Sequence, residues 1–255
     1  MLGFIAGSGW HTRVLADPRF SKANASEERA LELKESQLFW LSMGVNRTPF
    51  LLRHGPEHQL APHQIDYRRN IKALRQLGVD RVFSCNLVGS MAAAIRPGEL
   101  AVPVDVIDYT WGRATQLTDE EFGIDSYTHF GVPFCPELCA DIAGAADQCG
   151  YPLHRDAVYA CTQGPRLETA AEIKRLKRDG CSVVGMTLMP EAVLAREAGL
   201  AYASLCSVVN YASGIAAEEG GDPLLSHKDL MEQIRECIGQ TQQSTLAIAK
   251  TLLSR

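Results

Sequence analysis

The stretch PHQIDYRRNIKALRQLGVDRVFSCN, residues 62–86, holds one complete helix-to-strand unit. Ile65, Ile71, Leu74 and Leu77 recur at helical spacing, with Pro62 suited to a first turn and Gly78 to a stop, so 62–78 reads as an amphipathic helix. A short apolar run at 81–85 then reads as a strand. Working outward, the same alternation recurs on both sides. Strand runs fall at 2–6 and 48–53 before this unit, and at 100–107, 157–161, 181–186 and 200–209 after it. Helical patterns occupy 136–149, 168–178, 190–197 and 226–253, and long aperiodic stretches at 109–133 and 211–223 read as loops bordering a site. The alternation predicts an α/β fold whose central sheet is mixed, mostly parallel and twisted, flanked by helices.

A chain of 255 residues buries a full core, and one domain spanning 1–255 is expected. A hydrophobic fraction of 46% and a charged fraction of 22% are those of an ordinary folded protein, which argues against disorder. The net charge of −5 lacks the basic surplus that neutralises a phosphate backbone, so no nucleic-acid partner is expected. No apolar run reaches the roughly 18 residues that cross a bilayer, and the first ten residues have no basic region ahead of an apolar stretch. No membrane partner and a cytoplasmic location follow as expectations. Cys85, Cys161, Cys181 and Cys206 lie in or beside apolar strand runs, where thiols serve as small hydrophobes. Cys135 and Cys139 stand one helical turn apart, but no second Cys/His pair completes a zinc set, so no metal site is expected.

Polar and glycine-containing groups collect at the ends of the strand runs: Gly7-Ser8-Gly9, Arg53-His54, Asn86 with Gly89, Gly164-Pro165-Arg166, Met186-Thr187 and Asn210. Ligands of open α/β sheets bind beyond strand ends, so one crevice can draw on all of these groups. Each also has a plain structural reading. A Gly-Ser-Gly turn is ordinary turn chemistry, Arg53-His54 suits a solvated strand edge, Thr187 and Asn210 suit a helix cap and a turn cap, and Glu168 suits a first-turn carboxylate. Composition and spacing by themselves support an α/β enzyme with an anion site.

The order and wording of the segments add to this. Gly7-Ser8-Gly9, Arg53-His54-Gly55 with His58, Asn86 through Val88-Gly89-Ser90, Gly164-Pro165-Arg166 with Glu168, Gly185-Met186-Thr187 with Pro190-Glu191, and Val209-Asn210 together resemble the trimeric purine nucleoside phosphorylase and methylthioadenosine phosphorylase family. Within it the wording is most similar to the methylthioinosine-type phosphorylases. The family usually has leucine or phenylalanine where this chain has Trp10, and its usual Thr-Pro-Tyr-Gly segment is missing from the stretch 10–48.

The resemblance implies phosphorolysis of a purine nucleoside by a homotrimer, with inorganic phosphate as co-substrate and no cofactor. It assigns phosphate to Ser8, Arg53, His54 and Thr187 with backbone donors at Asn86 and Leu87, and the nucleoside to Leu167 and Met186. Asn210 and Glu168 take the catalytic positions beside the purine. An asparagine amide offers donor and acceptor to a 6-oxopurine, and an ionised Glu168 accepts from N1–H but opposes the N1 lone pair of adenine. The pair therefore points to S-methyl-5′-thioinosine or to inosine and guanosine, with S-methyl-5′-thioadenosine as the alternative and a nucleoside binder without turnover as an alternative of another class. His227 matches a histidine that bonds a 5′-hydroxyl and equally reads as an exposed first-turn residue, while His129 resembles a loop residue lent by a neighbouring subunit.

Overall fold

The computed structural model describes residues 1–34, 37–118, 127–215 and 227–254. In order they form β1 (Leu2–Ala6), α1 (Trp10–Ala16), β2 (Phe20–Lys22), α2 (Ala25–Ala30), β3 (Leu38–Met43), β4 (Asn46–Leu52), α3 (Tyr67–Gln76), β5 (Arg81–Ser90), β6 (Leu100–Asp108), α4 (Pro136–Cys149), β7 (Leu153–Cys161), α5 (Ala170–Arg178), β8 (Val183–Gly185), α6 (Leu188–Glu197), β9 (Ala201–Tyr211) and α7 (His227–Leu253). The sheet has apolar side chains on both faces because its strands are apolar at consecutive positions. In β1, Leu2, Phe4 and Ala6 enter one core while Ile5 enters another; Phe50 and Leu52 of β4 oppose Leu51 in the same way. Alternation of side chains across the pleat turns a continuous apolar run into two buried faces, each covered by helices.

The strand order is β2-β3-β4-β1-β5-β8-β7-β6-β9, and β9 also pairs with β5. Five strands, β5-β8-β7-β6-β9, therefore close into a ring from which the other four extend. The expected mixed sheet is present: five strand pairings are parallel and four antiparallel. Along one edge, β5 pairs with β1 over Arg81–Cys85 and then with β8 at Gly89 and Ser90. Residues 86–88 lie where the neighbour changes, so a crevice opens there.

Segment 62–78 divides where the sequence suggested one helix. Residues Pro62–Gln64 form a 3₁₀ turn, and the Asp66 carboxylate then accepts from Arg69 N and caps α3. Ile65 falls before the cap and is still buried. The elements between 10 and 43 are absent from the sequence reading; α1, β2 and α2, at three to seven residues, are too short to show periodicity. Trp10 is nonetheless a core residue there, tilted at 5.1 Å against Phe50, which also contacts Phe20 at 4.9 Å and Phe4 at 5.9 Å. This aromatic cluster anchors the chain just after Gly7-Ser8-Gly9. The residue that departs from the family's wording thus does structural work at that turn.

Candidate active site

The carboxyl ends of β1, β4, β5, β8 and β9 surround a cavity of about 260 Å³. Ser8, Arg53, His54, Leu87, Leu167, Glu168, Met186, Thr187 and Asn210 all line it, joined by Ile234 and Ile238 of α7. Nine of the twelve residues singled out from sequence therefore meet in one place. Asn86 lies behind the wall, His129 is exposed and outside the lining, and the side chain of His227, at the start of α7, lies outside the described residues.

Arg53 differs from expectation in which way its fork faces. Its side chain and that of Glu191 are both 0% exposed, and its Nε and Nη2 donate to the two Glu191 oxygens at 2.6 and 2.8 Å. Nη2 also donates to Ser84 Oγ at 2.6 Å and Nη1 to the Cys85 carbonyl at 3.0 Å. Of the five guanidinium N–H groups one remains, on Nη1. That atom lies 2.7 Å from where a Cβ on Gly7 would stand, so glycine at this turn leaves room for the guanidinium beneath the cavity wall. Burial works against the charge, but Glu191 outweighs it and the guanidinium's pKa is raised. Glu191 also accepts from Tyr202 Oη and Ser84 Oγ.

This network runs on to Thr187. Ser204 donates to Asn86 Oδ1 at 2.9 Å, and Ser84 Oγ, whose one proton is shared with Glu191, lies 2.7 Å from the same oxygen, which fixes the amide so that Nδ2 donates to Thr187 Oγ1 at 2.9 Å. A hydroxyl that already accepts there has its own proton to give, and Thr187 faces the cavity. Asn86 thus acts through Thr187. Thr187 occupies the N-cap position of α6 but makes no side-chain cap bond, so its capping reading does not hold.

On the opposite side, Ser8 Oγ lies 2.7 Å from His58 Nε2. His58 stacks on His54 at 4.4 Å, and His54 Nδ1 meets the Leu60 carbonyl at 2.8 Å. Burial first, with Arg53 and the nearby imidazoles, pushes His54 down to about 3, so its ring is neutral at physiological pH. Together with Arg53 Nη1, the hydroxyls of Ser8 and Thr187 make one end of the cavity an oxyanion end.

The other end is built by Glu168 and Asn210. Glu168 precedes α5 rather than opening it, because Thr169 and Glu172 form the capping box of that helix. Freed from the helix, Glu168 receives Thr162 Oγ1 on Oε1 at 2.5 Å and keeps Oε2 as an acceptor. Asn210 Nδ2 donates to the Tyr211 carbonyl at 2.7 Å, which orients the amide and leaves Oδ1 and one N–H. Gly89, its pairing partner across a bulge after Val88, gives that amide room.

Arg113, within the aperiodic stretch 109–133, is a positioning residue that the sequence reading missed. Its Nη1 donates to the carbonyls of Met186 and Met189 at 2.8 and 2.6 Å, and its Nη2 to that of Gln163 at 2.9 Å. It ties the ends of β7 and β8 together and so sets Met186 and Thr187. A neighbouring cavity of about 390 Å³ shares Glu168, but its charged lining is engaged internally by the Arg166–Glu172 pair at 2.7 Å. Burial raises the thiols of Cys85, Cys161 and Cys206 to about 12, so these are core hydrophobes. Among the described residues no group of three or more His, Cys, Asp or Glu is arranged to hold a metal, and no helix is long and apolar enough to cross a membrane.

Hydroxyl and guanidinium donors and a carboxylate–amide pair thus line one small cavity. The chain belongs to the phosphorylase superfamily, which it matches over residues 2–253. It is 42% identical over 198 residues to a Pseudomonas syringae protein described as a probable S-methyl-5′-thioinosine phosphorylase, covering 78% of each chain. It is 39% identical over 199 residues to the 6-oxopurine nucleoside phosphorylase of Pyrococcus furiosus, covering 76% of this chain and 73% of that one. Among solved structures, the methylthioadenosine phosphorylase of Schistosoma mansoni in complex with adenine superposes with a TM-score of 0.79 at 25% identity, over 99% of this chain and 90% of that one.

Proposed function

We infer that the protein is a purine nucleoside phosphorylase that cleaves 6-oxopurine nucleosides with inorganic phosphate, and that S-methyl-5′-thioinosine is its preferred substrate. The observation that carries this reading is the pairing of Glu168 and Asn210 in the same cavity as Ser8, Arg53 and Thr187. Phosphate sits at the oxyanion end, where it receives the open Arg53 N–H and the Ser8 and Thr187 hydroxyls. Met186 packs beneath the ribose. As the C1′–N9 bond breaks, the sugar gains oxocarbenium character, which the adjacent phosphate stabilises before one of its oxygens closes on C1′. Electrons of the broken bond pass into the purine, whose N7 side meets Asn210. Glu168 Oε2 accepts from N1–H of hypoxanthine, whereas adenine would set its N1 lone pair against that oxygen. Products are hypoxanthine and 5-methylthioribose 1-phosphate.

The preference at the sugar's 5′ end follows from α7. Ile234 and Ile238 line the cavity, and Ile238 packs against Gly9 beside the oxyanion end. An apolar wall suits a methylthio group better than a hydroxyl, which would lose its water partners there. Trp111, Tyr127 and Leu167 are large apolar residues left exposed at 73%, 75% and 49%, and Leu167 also lines the cavity. We propose that a threefold homotrimer covers this region and brings His129 of a neighbour to the pocket.

Initial rates with methylthioinosine, inosine, methylthioadenosine and adenosine, each with and without phosphate, test the reading. Methylthioinosine is expected to lead, and cleavage is expected to require phosphate. Equal or higher efficiency with the adenine nucleosides would overturn the base assignment, and base release independent of phosphate would overturn phosphorolysis. A fully active monomer in sedimentation would overturn the trimer.

A further inference from the structure

His54 brings a hydrogen-bond acceptor to an otherwise donor-lined oxyanion end. Its Nδ1 lies 2.8 Å from the Leu60 carbonyl, and a carbonyl only accepts, so Nδ1 carries the proton of the neutral ring. Nε2 then keeps its lone pair. That nitrogen is 3.9 Å from the place a Cβ on Gly7 would occupy, on the side of the ring that meets the cavity next to Ser8. The groups packed against the imidazole do not favour a second proton. Arg53 precedes it with its charge held by Glu191, His58 stacks on it at 4.4 Å, and His11 stands beyond His58 at 5.4 Å. Burial is the largest influence and agrees with this, holding the ring's affinity for a second proton down at about 3.

We propose that His54 Nε2 makes this site selective for an oxyanion that carries a proton, hydrogen phosphate or hydrogen arsenate, against sulfate, which carries none at neutral pH. The proposal rests on assigning this end of the cavity to phosphate. The hydrogen phosphate dianion donates its P–O–H to Nε2 and offers its bare oxygens to Ser8, Thr187 and the open Arg53 N–H. Sulfate matches it in size and charge but sets an oxygen against the Nε2 lone pair. It is accommodated after His54 takes a proton from water, forming an N–H that then donates to sulfate. Both complexes hold the same number of protons: phosphate brings its own, and sulfate binding takes one up from solvent.

Proton uptake makes the prediction a linkage. With the unmodified full chain assayed between pH 6 and 8, sulfate is added as an inhibitor competing with phosphate, and phosphate is expressed as its dianion. The sulfate inhibition constant is expected to rise by about tenfold per pH unit, while the Michaelis constant for the phosphate dianion stays level. His54→Gln, whose amide puts a donor at similar reach, is expected to abolish the slope and to bring the sulfate and phosphate constants together. His58→Gln is expected to keep the slope, which separates His54 from its stacked neighbour. A sulfate constant that is flat with pH in the unmodified protein overturns the proposal, as does a slope that survives in His54→Gln. Failure of the phosphate assignment looks different: sulfate would not compete with phosphate, and Ser8→Ala and Thr187→Ala would leave the phosphate Michaelis constant unchanged.

Discussion

Replacing Arg53 by methionine keeps much of the stem volume and removes the guanidinium. Glu191, at 0% exposure, then keeps only the Ser84 and Tyr202 hydroxyls as donors. Breaking one side of a buried ion pair costs about 3–5 kcal/mol, because the remaining charge is stranded. For a domain of this size each kcal/mol lowers the melting temperature by about 2–4 °C, so a fall of roughly 6–20 °C is expected. The double change Arg53→Met with Glu191→Gln removes both charges and should lose less than the two single changes added together. If the open Nη1–H also holds phosphate, the loss of one charge-assisted bond, about 1.5–3 kcal/mol, raises the phosphate Michaelis constant about tenfold to a hundredfold. Urea titration of the three variants, with phosphate-dependent rates measured where each is folded, reads both effects. A single variant that loses less than about 1 kcal/mol would refute the stranded-charge reasoning. An unchanged phosphate constant would leave Arg53 with a purely structural role.

Three further outcomes are expected. The unfolded chain binds a proton at His54 near the ordinary value of 6.5 while the folded chain resists it down to about 3, so stability falls as pH drops through that window. Between pH 7 and 5 the loss is about 2 kcal/mol, and denaturation at the two pH values should show it in the unmodified protein but not in His54→Gln. In Gly185→Ala the new methyl would sit 1.9 Å from Tyr159 Oη, a buried hydroxyl, so a loss of about 1–3 kcal/mol is expected, partly recovered in a Tyr159→Phe background; equal melting temperatures would contradict this packing. Ile238→Ser should lower the efficiency ratio of methylthioinosine to inosine by about tenfold or more, and an unchanged ratio would remove α7 from the 5′ pocket.

What the sequence made legible depended on whether a signal was local. Continuous apolar runs such as 2–6 and 81–85 marked strands because burial on both faces leaves a dense, short record, and the polar residues at their ends marked the crevice. Asn24 and Glu27 form a capping box that is readable as Asn-x-x-Glu, yet α2 is too short at six residues to show periodicity behind it. Closure of β9 onto β5 joins residues more than a hundred positions apart, and pairing at that range leaves no local pattern. The direction of Arg53's fork was hidden for the same reason, since Glu191 lies 138 positions away. Arg113 binds backbone carbonyls, which every residue has, so nothing in the sequence of its partners points to it.

The ring of five strands also bears on how copies of the chain meet at high concentration. A sheet edge with unsatisfied N–H and C=O groups is a template on which another chain can build. Ring closure removes that template from one side, because β9 returns to β5 instead of ending in solvent. In strand order the sheet ends at β2, while β6 meets β9 only at Leu100 and Ala101. Strand β2 is three residues long, Phe20–Lys22; its phenylalanine is buried, its serine and lysine are exposed, and Arg19 precedes it. So brief an edge gives little purchase to a second sheet. The topology that shapes the crevice therefore also leaves the open end of the sheet short, at three residues.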